Sequence, residues 1–201
     1  MSTQILDLYY DFGSPNAYFA REVLKAVSAQ TGLMVIEHPV LIGGIFKLTH
    51  NQPPWQAFGG CAQKMAYMQL EIKRFVEDHK LVDFRFNSAF PVNTLLAMRT
   101  AIAARKAGVH DRFVEPVFKA MWEDNKNISI DEVLIGVLDD AGLDGSTLVA
   151  AAQDPDVKQG LMDATQAVVG RGAFGLPTFF LGDDMYFGKD RVHVVESRLR
   201  G

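Results

Sequence analysis

Apolar and polar positions change period three times along the chain. Ile5–Tyr10 (ILDLYY) is short, apolar and partly alternating, which predicts a buried strand. From Pro15 the spacing turns helical: Tyr18, Val23, Leu24 and Val27 share a face, and Gly32 ends the run. Leu33–Leu41 (LMVIEHPVL) reads as a second strand. A strand–helix–strand opening predicts a parallel pair joined by a right-handed crossover.

Residues 42–56 carry Gly43-Gly44 and Pro53-Pro54 and read as a punctuated loop. Helical spacing then dominates. Met65, Met68, Ile72, Phe75 and Val76 recur at intervals of three or four, opposite a charged face. Pro91-Val92-Asn93-Thr94 introduces an alanine-rich helix that stops at Gly108. A further helix covers DRFVEPVFKAMWED, with Pro116 in or near its early turns. Ser129-Ile130-Asp131-Glu132 reads as a capping box opening VLIGVLDDAG, and Asp154-Pro155 starts a helix running to Gly170. At the end the period returns to two. GLPTFFL and MYFG flank Gly182-Asp183-Asp184 as a hairpin, and Asp190–Leu199 closes as a helix.

Neither strand pair makes a sheet alone, so the two complete one another across the intervening helices. The expected architecture is α/β, a thioredoxin-like fold with an inserted all-helical subdomain. Residues 1–45 and 155–201 form the discontinuous thioredoxin-like part, and 46–154 the insertion.

Composition narrows the function. Hydrophobic residues make up 48% of the 201 and charged residues 22%, as in a globular protein with a full core. A net charge of -4 with dispersed Lys and Arg gives no basis for a nucleic-acid partner. No apolar run is long enough to span a bilayer, and MSTQILDLYYDF lacks the pattern of a secretory signal, so a cytoplasmic protein is expected. Cys61 is the single cysteine, which excludes an internal disulfide, and no Cys/His pattern marks it as a nucleophile. The five histidines show no metal-ligand spacing, and no glycine-rich nucleotide loop is present.

The candidate chemistry gathers at three short stretches. Ser14 precedes Pro15 at a helix start, where free N–H groups and the helix dipole favour an anion. That is also an ordinary cap, and no histidine spacing supports a serine nucleophile. A hydroxyl there can instead donate to a bound thiolate and lower that thiol's pKa. Leu176-Pro177 opens a strand that would lie beside this helix start; a cis bond there would present the Leu176 backbone to an extended ligand. Gly188-Lys189-Asp190-Arg191 can form a polar clamp, with Asp190 taking an ammonium group and Lys189 a carboxylate.

Four segments, DFGSPNAYF, NQPPW, K-x-x-Y-M at Lys64–Met68, and FGLPTFFLGDDMYFGKDRV, resemble the kappa-class glutathione transferase group, with its DsbA-like fold, and within it the 2-hydroxychromene-2-carboxylate isomerases. The resemblance implies glutathione as cofactor, Ser14 as activator of its thiol, Leu176 and Pro177 against its peptide backbone, Lys189 and Asp190 near its γ-glutamyl end, and Asn51 and Lys64 as further contacts. It also implies a small aromatic substrate, a homodimer and a place in aromatic (naphthalene) degradation. The implied reaction is the interconversion of 2-hydroxychromene-2-carboxylate and trans-o-hydroxybenzylidenepyruvate. Competing readings are a transferase or peroxidase acting on other electrophiles, and a binding module without catalysis; a dithiol oxidoreductase is disfavoured by the missing Cys-x-x-Cys. Phe12, Trp55 and Phe58 are candidates for holding an aromatic ring. Gly13, where the group carries a bulkier residue, implies a wider pocket.

Overall fold

A computed structural model describes residues 4–200. Four strands form one sheet: β1 (Ile5–Tyr10), β2 (Met34–Pro39), β3 (Thr178–Leu181) and β4 (Asp184–Phe187), in the order β2-β1-β3-β4. β1 pairs parallel to β2, with Leu6 opposite Val35, and antiparallel to β3, with Leu8 opposite Phe179. The hairpin β3–β4 turns at Gly182, whose φ of 62° suits a residue without Cβ.

The alternation along β1 has a physical outcome. Leu6 and Leu8 are fully buried against Leu24 and Val27 of α1 (Pro15–Thr31) and against Val192 and Val195 of α10 (Val192–Arg200). Tyr9 points to the other face, where Phe180 meets Ile45 of α2 (Ile42–Thr49) and Val168 of α9 (Pro155–Gly170). The sheet is thus covered on both sides. Tyr10, Phe12, Tyr18 and Phe19 enter a third and larger cluster with Met98 of α5 (Leu95–Lys106), Phe113, Phe118 and Trp122 of α6 (His110–Trp122), and Leu134 of α7 (Asp131–Asp140). Core packing therefore runs without a break from the end of β1 into the helical block.

Three local expectations change. Residues 42–49 are helical, not loop. A Cβ on Gly44 would lie 3.0 Å from Thr165 Cγ2, so glycine there lets α2 sit close on α9, and burial of Ile45 outweighs its poor helix propensity. The capping box at Ser129 does not form. Its hydroxyl donates to Asn127 Oδ1 at 2.6 Å, and α7 begins after Ile130 with Asp131 and Glu132 at the positive end of its dipole. Pro116 lies in the middle of α6 rather than its first turns. A helix the pattern did not announce, α8 (Gly145–Ala151), is capped by Asp144, which accepts from Thr147 N at 2.9 Å. The remaining elements are the single turn α3 (Pro54–Ala57), α4 (Ala62–Asp78) and a 3-10 turn at Lys189–Arg191. Among the described residues no helix is long and apolar enough to cross a membrane.

Candidate functional site

The site forms where β1 ends and α1 begins. Asp11 is fully buried, and its carboxylate accepts from Gly13 N at 2.8 Å and Ile42 N at 2.8 Å. Burial pushes its pKa up, while these two N–H groups and the Thr94 hydroxyl pull it down. One acid thus ties the loop before Ser14 to the start of α2. Trp122, fully buried, donates from Nε1 to Phe12 O at 2.8 Å and braces the same loop from behind. The space beside Gly13 is not open. A Cβ there would lie 3.2 Å from Thr94 Cγ2, so Thr94 fills the volume that a wider pocket would need.

Ser14 caps α1 and is buried. Its hydroxyl oxygen accepts from Ala17 N at 3.2 Å, and the hydroxyl donates to Leu176 O at 3.3 Å. The second bond is long and readily exchanged for a better acceptor. The first turn of α1 contains no acidic residue, so its positive end is uncompensated from within the helix.

The Leu176-Pro177 peptide bond is cis. Its loop is fixed at three points. Thr178 Oγ1 donates to Gly175 O at 2.8 Å, Asn51 Nδ2 donates to Phe174 O at 2.9 Å, and Gly188 N donates to Pro177 O at 2.9 Å. Gly175 is needed for close approach, since a Cβ would lie 2.8 Å from the Phe187 ring. These bonds bring Ser14, Leu176, Pro177 and Asn51 into one group and seat Lys189-Asp190 directly beyond Pro177.

Lys189 is not an open clamp. Its side chain is 3% exposed, and its ammonium donates to Glu71 of α4 and, at 3.0 Å, to Asp190 Oδ1. Asp190 itself is exposed. Lys64 also stands on α4, with Nζ 3.2 Å from the centre of the Phe58 ring. Seven residues separate it from Glu71, which places both on nearly the same face of α4. Lys64 is therefore linked to the Ser14 group through its helix and not by contact.

Of the aromatic candidates, Phe12 is fully buried and unavailable to a ligand. Trp55 and Phe58 are exposed, with Trp55 set edge-on to Phe90 at 5.0 Å between centroids. Cys61 is exposed at the start of α4. Sequence reasoning missed Asp11, Thr94 and Glu71. Asp11 was signalled by a charge between Tyr10 and Phe12, whereas Glu71 sits on a polar helix face without any local mark.

A hollow of about 510 Å³ lies elsewhere, at the free edge of β2 between Met34, Ile36, Glu37, Arg105 and His110. Two of its polar side chains are engaged: Arg105 donates to Glu37 O, and His110 Nε2 lies 3.1 Å from Tyr10 OH. His110 is held neutral, its pKa lowered to about 4 chiefly by burial. The hollow thus lies on the far edge strand from the β3–β4 hairpin and includes none of Ser14, Leu176 or Asp190.

Known proteins match nearly the whole chain. The family model of the DSBA-like thioredoxin domain covers residues 5–200. The chain is 26% identical over 200 residues to 2-hydroxychromene-2-carboxylate isomerase of Pseudomonas sp. (strain C18), covering 98% of this chain and 91% of that one. It is 26% identical over 208 residues to Glutathione S-transferase kappa 1 of Homo sapiens, covering 96% and 90% respectively. A solved 2-hydroxychromene-2-carboxylate isomerase superposes with a TM-score of 0.82 at 23% identity, over 98% of this chain and 94% of that one. By that family-model match over residues 5–200, the chain belongs to the DSBA-like thioredoxin domain family, and it carries serine at the start of α1.

Proposed function

We propose that the protein is a glutathione-dependent isomerase that interconverts 2-hydroxychromene-2-carboxylate and trans-o-hydroxybenzylidenepyruvate, or a close aromatic analogue. The observation that carries this reading is the Ser14 hydroxyl, held at the uncompensated N-terminus of α1 by one short-range cap bond and one long bond to Leu176 O. Curated relatives named as this isomerase and as a glutathione transferase, each aligned over nearly the whole chain, support it.

The residues fit a thiol tripeptide. Ser14 can release Leu176 O and donate to a sulfur anion, while the α1 terminus adds favourable potential. Leu176 offers backbone to an extended ligand, with Pro177 fixing that edge. Asp190 presents an exposed carboxylate to an amine, and Asn51 and Lys64 are offered as further polar contacts. Lys189 serves from behind, because its charge is already taken by Glu71 and Asp190. Bound glutathione would supply a thiolate that adds reversibly to a conjugated carbon, so that a double bond becomes rotatable before the thiol leaves. Ser14 holds the sulfur deprotonated and placed, and Trp55 and Phe58 offer apolar surface to an aromatic ring. The same reading carries a cytoplasmic homodimer.

The equal identity to the kappa transferase favours one second reading, conjugation of glutathione to other electrophiles. Calorimetric titration with glutathione followed by an absorbance assay of the chromene–benzylidenepyruvate interconversion separates them. The proposal expects saturable binding and interconversion that requires glutathione. Turnover confined to halogenated aromatics or hydroperoxides selects the second reading, and absence of binding removes both.

A further inference from the structure

At Lys189 one ammonium meets two carboxylates. The lysine side chain is 3% exposed and is held by Glu71, by Asp190 Oδ1 at 3.0 Å and by the Phe75 ring at 4.6 Å from its centroid. A buried ammonium requires a counter-ion, and one is enough. The two acids are not equivalent. Glu71 reaches in from α4 with its side chain 34% exposed, whereas Asp190 adjoins Lys189 in sequence and is 65% exposed. The trio sets two carboxylates against one ammonium, and Asp190 is the more accessible of the two acids. The Gly188–Pro177 backbone bond ties the chain two residues before that acid to the loop that touches Ser14. If Glu71 lost its charge, Asp190 would become the sole counter-ion of Lys189 and its carboxylate would be turned inward.

We propose that Glu71 is a specificity-setting positioning residue: by sharing the charge of Lys189 it leaves Asp190, which meets that lysine through Oδ1 alone, able to accept the ammonium group of a ligand. This rests on the glutathione reading and deepens it. The site then selects thiol peptides that carry a free primary amine at the end remote from the sulfur, and does so through a residue that never touches them.

The test uses the full chain as wild type, Glu71→Gln, Lys189→Met and the double variant. Two probes are titrated: glutathione, and glutaryl-cysteinyl-glycine, which carries hydrogen in place of the γ-glutamyl amino group. Glu71→Gln is expected to weaken glutathione binding about tenfold or more, the scale of one charge-assisted hydrogen bond, and to leave the deamino probe within about twofold. Adding Lys189→Met removes the ammonium that captures Asp190 and restores glutathione binding. Equal weakening of both probes, unchanged glutathione binding, or failure of the double variant to recover overturns the proposal. A ligand-free measurement separates this outcome from failure of the glutathione reading itself. Glu71→Gln should displace the Asp190 carboxyl-carbon NMR resonance at neutral pH, and should not do so on the Lys189→Met background. If the resonance responds in that way while wild type binds no glutathione, the proposed function falls and the role of Glu71 stands. If the resonance is unmoved, the role of Glu71 falls.

Discussion

Helices α1 and α4 both span 17 residues and both supply residues to the candidate site, yet they are anchored in opposite ways. α1 buries six side chains, among them Tyr18, Phe19 and Leu24, and begins on a serine whose backbone and hydroxyl are both bonded. α4 buries none completely; it leans on the core through Ile72, Phe75 and Val76 and is tied to the 3-10 turn by Glu71. The part of the site that must place a hydroxyl within tenths of an ångström is therefore fixed by core packing. The part contributed by α4 is held by a partly buried stripe and an ion pair, which allows adjustment.

Truncating the same side chain in the two helices should show the difference first. Phe19 is fully buried, and Phe19→Ala is expected to cost about 3–5 kcal/mol in denaturant unfolding. Phe75 touches the same cluster, 5.4 Å from Phe19 between centroids, but is only partly buried. Phe75→Ala should cost roughly 1–2 kcal/mol, in proportion to the smaller area it removes from water. Equal costs would show that α4 is as firmly built in as α1. A finer probe is amide hydrogen exchange. Amides near Ala20–Leu24 should exchange only through global unfolding, and those near Lys64–Leu70 through local opening, at least about a hundredfold faster. Glutathione should narrow that gap if Lys64 contacts the ligand and draws α4 toward the site.

Much of this arrangement was legible along the chain, for reasons that differ by residue. The alternation of Leu6, Leu8 and Tyr10, the Ser14-Pro15 start and Gly32 stop of α1, and the Gly182 hairpin are local devices, so periodicity and turn chemistry expose them. α2 was hidden because Gly43-Gly44 has the look of a turn, and the reason for glycine is a neighbour in α9, more than a hundred residues away in sequence. Ser129 misled because Asn127 captured its hydroxyl, a competition between two local partners that the motif alone does not rank. In the site, Ser14 and Leu176-Pro177 were visible as motifs. The pairing of Lys189 with Glu71 joins positions 118 apart and leaves no pattern in either segment.

The central claim is that Ser14 activates a bound thiol. Its most direct test is the pH dependence of thiolate absorbance in the glutathione-saturated protein, measured for wild type and Ser14→Ala on a Cys61→Ser background, so that the bound tripeptide holds the only thiol. The substitution also removes the Ala17 N–H acceptor, a loss of about 1 kcal/mol that leaves the fold intact. The expected result is a thiolate midpoint below that of free glutathione in the Ser14 protein and a clear upward shift in Ser14→Ala. Coincident midpoints in the two proteins would contradict it.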